Sequence, residues 1–205
     1  MLTVTQIGDQ VTALARVAAS YEANPALFYV GTAHGGVWKT ENNGTTFEPQ
    51  LQDHGLMAIG DVEISQSNPN LVWVGTGESN NRQSTSWGDG VYKSTDGGKT
   101  YTNMGLRTSR HINRIVIDPT NNDVVFVSAT GSLWGPGGER GIFKTSDGGK
   151  TWKPVLTVND EFHPFWAHDR ASERKALVDF LAMVRKRLKR NPGMPLNRCR
   201  DVSRT

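Results

Sequence analysis

One phrase occurs three times in this chain at nearly fixed spacing. Residues 37–47, 91–101 and 142–152 read VWKTENNGTTF, VYKSTDGGKTY and IFKTSDGGKTW. Gly44, Gly98 and Gly149 mark the same position, so the units recur after 54 and then 51 residues. A period of this length means a repeat architecture, in which each unit is one supersecondary element that buries its faces against its neighbours.

Each unit has the same grammar. An alternating apolar run comes first, as in Val62-Glu63-Ile64 and Ile115-Val116-Ile117. A turn with proline follows at Asn24-Pro25, Asn68-Pro69 and Asp118-Pro119, and a β-rich run succeeds it at 27–31, 71–75 and 124–128. After a variable loop come the strand holding Trp38, Tyr92 or Phe143, an Asn/Asp-Gly turn, and a last strand beginning at Phe47, Tyr101 or Trp152. β-branched and aromatic runs between clusters of Gly, Asn, Asp and Pro are strand signals. Four short antiparallel strands in about 50 residues suit a propeller blade. The expected fold is all-β: a partial β-propeller of about three blades, near 10–53, 54–107 and 108–158, followed by a C-terminal α-helical tail.

The shared turn has a mechanical reading. Asp96 and Asp147 are expected to accept hydrogen bonds from N–H groups two residues on, closing Asx turns. Gly97-Gly98 and Gly148-Gly149 supply the positive φ such turns need. Ser94, Thr100, Thr151 and Trp152 complete the motif, and in the first copy Asn42 and Gly44 keep a degenerate but viable version. A calcium loop would need alternating carboxylates and a distal glutamate, which are absent.

STDGGKTY at 94–101 and TSDGGKTW at 145–152 resemble the Asp-box, or BNR, repeat of sialidases, xyloglucan-cleaving glycoside hydrolases and the sortilin-type propeller. Residues 59–62, 75–83 and 87–93 are similar to large bacterial proteins with a sortilin-like N-terminal propeller, often labelled glycosyl hydrolases. The resemblance spans about residues 5–158. It implies a propeller and a secreted or periplasmic setting, and it is specific for fold rather than activity, because the box occurs in enzymes and non-enzymes alike. The N-terminus lacks a basic stretch followed by an apolar core, so no signal peptide is visible.

Meander topology sorts the loops. First-to-second and third-to-fourth turns share one end; second-to-third loops and blade links share the other. The aspartate turns therefore face away from the long variable loops. The loop at 77–89 carries Glu78, Asn80, Asn81, Arg82, Trp87 and Asp89, and the loop at 130–140 carries Trp134, Glu139 and Arg140. The blade links add Asp53, His54, Arg107, Arg110 and His111. Aromatics among carboxylates, amides and arginines suit polar ligands such as sugars or peptide segments. Such loops also pack their own tryptophan and pair their own charges.

Glu78 and Asp89 stand at the two stems of one loop and are the candidate pair for glycoside cleavage, which needs two carboxyls about 5–9.5 Å apart. Sialidase chemistry would require a tyrosine nucleophile, and no tyrosine lies in these loops. His34, His54 and His111 lack short ligand spacing, so no metal is expected, and no cofactor is expected either.

Charge divides the chain. Residues 1–158 hold 12 Lys/Arg against 14 Asp/Glu, and residues 159–205 hold 11 against 6, so the basic character belongs to the tail. Nucleic acid is therefore not an expected partner of the repeats. No apolar run reaches the roughly 18 residues of a membrane span, and the single cysteine, Cys199, excludes an internal disulfide. After about residue 159 the repeat grammar stops. Leu177, Phe180, Leu181, Val184 and Leu188 form a stripe on an expected helix at 172–190. Three readings stand for this tail: a cover for the open last blade, a basic helix that binds nucleic acid or an acidic surface, or an unrelated terminus on a fragment. Closed propellers generally have at least four blades, so open strand edges should favour self-association or a partner bringing the missing blades. The expected function is a non-catalytic module binding polysaccharide or a protein segment, within a larger extracytoplasmic protein; the alternative is a partial or inactive glycoside hydrolase.

Overall fold

A computed structural model describes residues 15–55, 58–78, 85–132 and 137–157. The expected tail helix and the candidates Asn80, Asn81, Arg82 and Trp134 lie outside the described residues. The described chain forms twelve strands: β1 Ala15–Tyr21, β2 Asn24–Thr32, β3 Val37–Thr40, β4 Glu48–Gln50, β5 Ile59–Ile64, β6 Val72–Thr76, β7 Val91–Ser94, β8 Thr102–Asn103, β9 Ile112–Asp118, β10 Asn121–Thr130, β11 Arg140–Thr145 and β12 Lys153–Thr157. They make three four-stranded antiparallel sheets in simple sequential order. β5 packs between β1 and β9, so the first strands of the three sheets lie side by side as the inner strands of propeller blades do. The outermost strands begin one residue later than the repeated aromatic; Tyr101 and Trp152 pack into the joints between sheets, whereas Phe47 stays partly exposed against Phe28.

Period-two alternation decides which sheet each residue meets. On β6, Val72 and Val74 face the first sheet and pack with Tyr29 and Val37. Trp73, between them, faces the third sheet and packs with Ile115, Val125 and Val127. The middle sheet is thus apolar on both faces, and β6 has no exposed position. Close approach requires glycine in the second strands of the first two sheets. A Cβ on Gly31 would lie 2.6 Å from Ile59 Cγ2, and one on Gly75 would strike Ile112 in the same way.

The aspartate turns are built by side chains rather than by short backbone bonds. Asp96 Oδ1 accepts from Thr100 N (2.9 Å) and Ser94 Oγ (2.8 Å), Oδ2 accepts from Thr100 Oγ1 (2.6 Å), and Ser94 Oγ accepts from Gly98 N (2.8 Å). Thr145, Asp147, Gly149 and Thr151 repeat the pattern. The partner sits four residues after the aspartate, not two as the sequence suggested. Two successive left-handed glycines, Gly97 at φ 72 and Gly98 at φ 91, swing the chain back so that residue 100 presents its N–H. Asn42 does the same for Thr46 in the first sheet. Hydrogen bonding, first from the Thr100 and Thr151 hydroxyls, holds both carboxyls well below the usual aspartate range.

Each turn also fastens to the first hairpin of its own sheet: Asn43 N to Ala26 O, Gly97 N to Asn70 O, and Gly148 N to Asp123 O. The aspartate corners and proline turns therefore share one end of the arc, as the topology requires. The long loops meet the blade links at the other.

Candidate functional site: the loop rim

The loop between β6 and β7 is pinned at both stems. Gly77 N donates to Ala58 O, Glu78 N to Ser86 O, and Gly88 N to Arg110 O. Gly77 and Gly88 allow this approach, because a Cβ on Gly77 would run into the Arg110 carbonyl and one on Gly88 into Thr76. Thr76 Oγ1 accepts from Asp89 N and donates to Gly90 O, closing the loop from within.

Two expected rim residues are interior. Glu78 is 1% exposed and His111 fully buried, and His111 Nδ1 lies 2.9 Å from the Glu78 carbonyl. They join the β6–β7 loop to the link before β9. His34, from the short β2–β3 link, brings Nε2 to 3.7 Å from Glu78 Oε2 and Nδ1 to 3.0 Å from Ser86 Oγ. Sequence reasoning passed over this His34–Ser86 contact. His34 stood alone in its stretch, and nothing local indicates that a residue 52 positions later folds onto it.

Asp89 is tied down as well. Its Oδ2 accepts from the Tyr92 hydroxyl at 2.7 Å and its carbonyl accepts from Asn103 Nδ2 at 3.0 Å. Its other carboxylate oxygen is buried without a hydrogen-bond partner among the described residues. Burial is the main cause raising the Tyr92 phenol above its usual range. The His54 ring meets Tyr92 edge-on at 5.1 Å.

Trp87 is different in kind. It is 55% exposed, and the Arg110 guanidinium lies 4.0 Å from its ring centroid. Arg110 itself holds a left-handed backbone, φ 64, at the end of the short 3₁₀ turn Arg107–Ser109. The strained backbone aims its side chain across the indole while its carbonyl anchors Gly88. An exposed indole fixed by a guanidinium is a flat, rigid, amphipathic surface.

On the third sheet, Arg140 is the first residue of β11 and is buried, with Nη2 donating to Ser132 O at 2.6 Å; it holds its loop closed. Glu139 Oε2 accepts from Thr108 N and Thr108 Oγ1, linking this loop to the same 3₁₀ turn that carries Arg110. The rim thus joins loops from all three sheets. Among the described residues no group of three His, Cys, Asp or Glu side chains is placed to hold a metal, and no helix is long and apolar enough to cross a membrane.

No protein-family model matches the chain, and no curated protein matches it in sequence. Solved structures do match in shape. An ancestral GH74 enzyme superposes with a TM-score of 0.55 at 20% identity, over 72% of this chain and 19% of that one. The GH74 enzyme of Niastella koreensis gives 0.53 at 20% identity, over 71% and 23%. The GH74 xyloglucanase from Xanthomonas campestris gives 0.51 at 16% identity, over 72% and 21%. This chain spans about a fifth of the length of those enzymes. At such identities the likeness is one of fold, and it makes the chain a β-propeller segment.

Proposed function

We propose that the chain is a non-catalytic binding module that holds a polysaccharide on its loop rim, as part of a larger extracytoplasmic protein of the Asp-box kind. The observation that carries this reading is Trp87, an exposed indole backed by Arg110. Sugar rings present C–H faces that stack on such a surface, and the Arg110 guanidinium beside it can complement their hydroxyls. A protein segment with an aliphatic or proline face is the other occupant that such an indole suits.

The second reading, a partial glycoside hydrolase, is favoured by the GH74 fold likeness and by Glu78 and Asp89 flanking one loop. It is weakened by their surroundings. Glu78 is withdrawn from solvent beside His34, and Asp89 is bonded through Tyr92 and Thr76. A catalytic acid must reach the glycosidic oxygen of a bound substrate.

Affinity electrophoresis against a panel of soluble glucans, xyloglucan included, tests the proposal. Retardation that weakens by ~tenfold or more in Trp87→Ala, about 1.4 kcal/mol, with no release of reducing ends from the parent chain, supports the module. Cleavage that disappears in Asp89→Asn or Glu78→Gln would replace it with the enzyme. No retardation by any glucan would remove the polysaccharide reading.

A further inference from the structure

The rim sorts its charges by direction. Its carboxylates are spent on the protein: Glu78 is buried, Asp89 accepts from the Tyr92 hydroxyl, and Glu139 accepts from Thr108 N and Thr108 Oγ1. Its basic side chains Arg107, His34 and His54 are exposed. Asp53 is exposed too, but it lies on the separate link before β5 and not on the 3₁₀ turn that leads to Arg110.

Arg110 stands apart from the other arginines around it. Arg107 Nε donates to Asn103 Oδ1, Arg140 Nη2 donates to Ser132 O, and Arg114 lies 3.8 Å from Asp61. Arg110 is half-buried, and its guanidinium sits 4.0 Å from the Trp87 ring centroid. Among the described residues none of its five N–H donors meets an acceptor, and no carboxylate stands within ion-pair distance. The contact with the indole places the group without using those donors. The residue also holds a left-handed backbone, φ 64, which is costly for a side chain other than glycine and concentrates at functional sites.

We infer that the ligand is an acidic polysaccharide, one whose sugars carry carboxylates, with the sugar ring on Trp87 and its carboxylate on Arg110. This deepens the polysaccharide reading above and rests on it. A guanidinium offers paired, parallel donors that match the two oxygens of a carboxylate, and it does so better than it matches single hydroxyls. A uronic acid residue carries both required features on one ring, a C–H face for the indole and a carboxylate at its edge. The 4.0 Å between guanidinium and indole suits two groups held on one sugar. Arg107, exposed on the same turn, adds positive field for the neighbouring sugar. Residues 1–158 carry 12 Lys/Arg against 14 Asp/Glu, so the propeller body does not attract polyanions as a whole and the selectivity is local. An acidic protein segment brings carboxylates without a ring face fixed beside them.

Isothermal titration calorimetry of the full chain tests this with three probes of equal length: oligogalacturonate, cello-oligosaccharide and oligoglutamate. Oligogalacturonate should bind roughly tenfold more tightly than the neutral oligosaccharide, which reports stacking on Trp87 alone. Arg110→Lys keeps the net charge and the backbone carbonyl that accepts from Gly88 N, and removes the planar fork. It should bring oligogalacturonate down to the neutral level; if that variant fails to fold, Arg110→Gln is read the same way. Oligogalacturonate binding no tighter than the neutral probe overturns this inference and leaves the polysaccharide reading standing. Preference for oligogalacturonate unchanged in folded Arg110→Lys also overturns it, since diffuse charge would then suffice. Oligoglutamate binding as tightly as oligogalacturonate gives the site to an acidic protein segment instead. Binding of neither oligosaccharide removes the polysaccharide reading and this inference together.

Discussion

Lys93 reaches out of its own sheet and donates a 2.9 Å hydrogen bond to the carbonyl of Gly148, inside the aspartate turn of the next. The ammonium also lies over Trp73, whose ring meets Trp152 edge-on at 6.1 Å. Burial is the main influence lowering the Lys93 pKa, offset by Asp123. The turn is therefore part of an inter-blade joint and not only a corner of its hairpin.

Replacing Lys93 by Met keeps the aliphatic stem and removes the donor. The Gly148 carbonyl loses its lysine partner, and about 1–2 kcal/mol of stability should go with it. Urea unfolding should show a lower midpoint at unchanged slope. A slope that changes instead would mean the blades no longer unfold together.

Asp147 lets the turn be tested from inside. Its carboxylate accepts from Thr151 N, Thr151 Oγ1 and Thr145 Oγ1. Asn42 in the first sheet performs most of this with an amide. Thermal midpoints at pH 7 should therefore fall in the order parent, Asp147→Asn, Asp147→Ala. The folded carboxyl is held below its unfolded value, so its stabilisation is present above about pH 4 and is lost as pH falls further. The gap between parent and Asp147→Asn should narrow in acid.

Asp61 predicts the opposite slope. It is fully buried on β5, where Oδ2 accepts from Ile115 N at 2.6 Å and Oδ1 lies 3.8 Å from Arg114. Desolvation outweighs the Arg114 charge and pushes its pKa up to about 7. A carboxyl raised on folding binds more protons in the native state, so its contribution weakens stability as pH climbs from about 4 to about 7. Asp61→Asn keeps an acceptor for Ile115 and removes the charge. Its stability relative to the parent should improve across that range, read from chemical denaturation at pH 5 and pH 7.5.

The three-sheet plan was legible because each determinant is local. Alternation at 62–64 and 115–117, proline after Asn or Asp, and paired glycines are short-range signals that fix strand, turn and end of the arc. The interior of the rim was not legible. Glu78 and His111 are polar types that usually sit on surfaces, and they are buried because Gly77 and Gly88 bring the loop against the next blade link. The hydrogen bond from Thr100 N to Asp96 was misread for a related reason. Two consecutive left-handed glycines have a combined swing that residue preference alone does not give.

The second strands provide the last prediction. A Cβ on Gly75 meets Ile112 of the third sheet, whereas the equivalent Ser128 is buried with a hydroxyl that has no hydrogen-bond partner among the described residues. Gly75→Ala should cost about 1–3 kcal/mol by overpacking the joint. Ser128→Ala keeps the Cβ and removes only the unpaired hydroxyl, so it should be neutral or stabilise by up to about 1 kcal/mol. Opposite signs at two equivalent positions, measured by denaturant unfolding, would show that the joint between the second and third sheets receives a backbone-tight blade and the far face of the third sheet does not. A loss of similar size from Ser128→Ala would mean that its hydroxyl is bonded to whatever lies on that face.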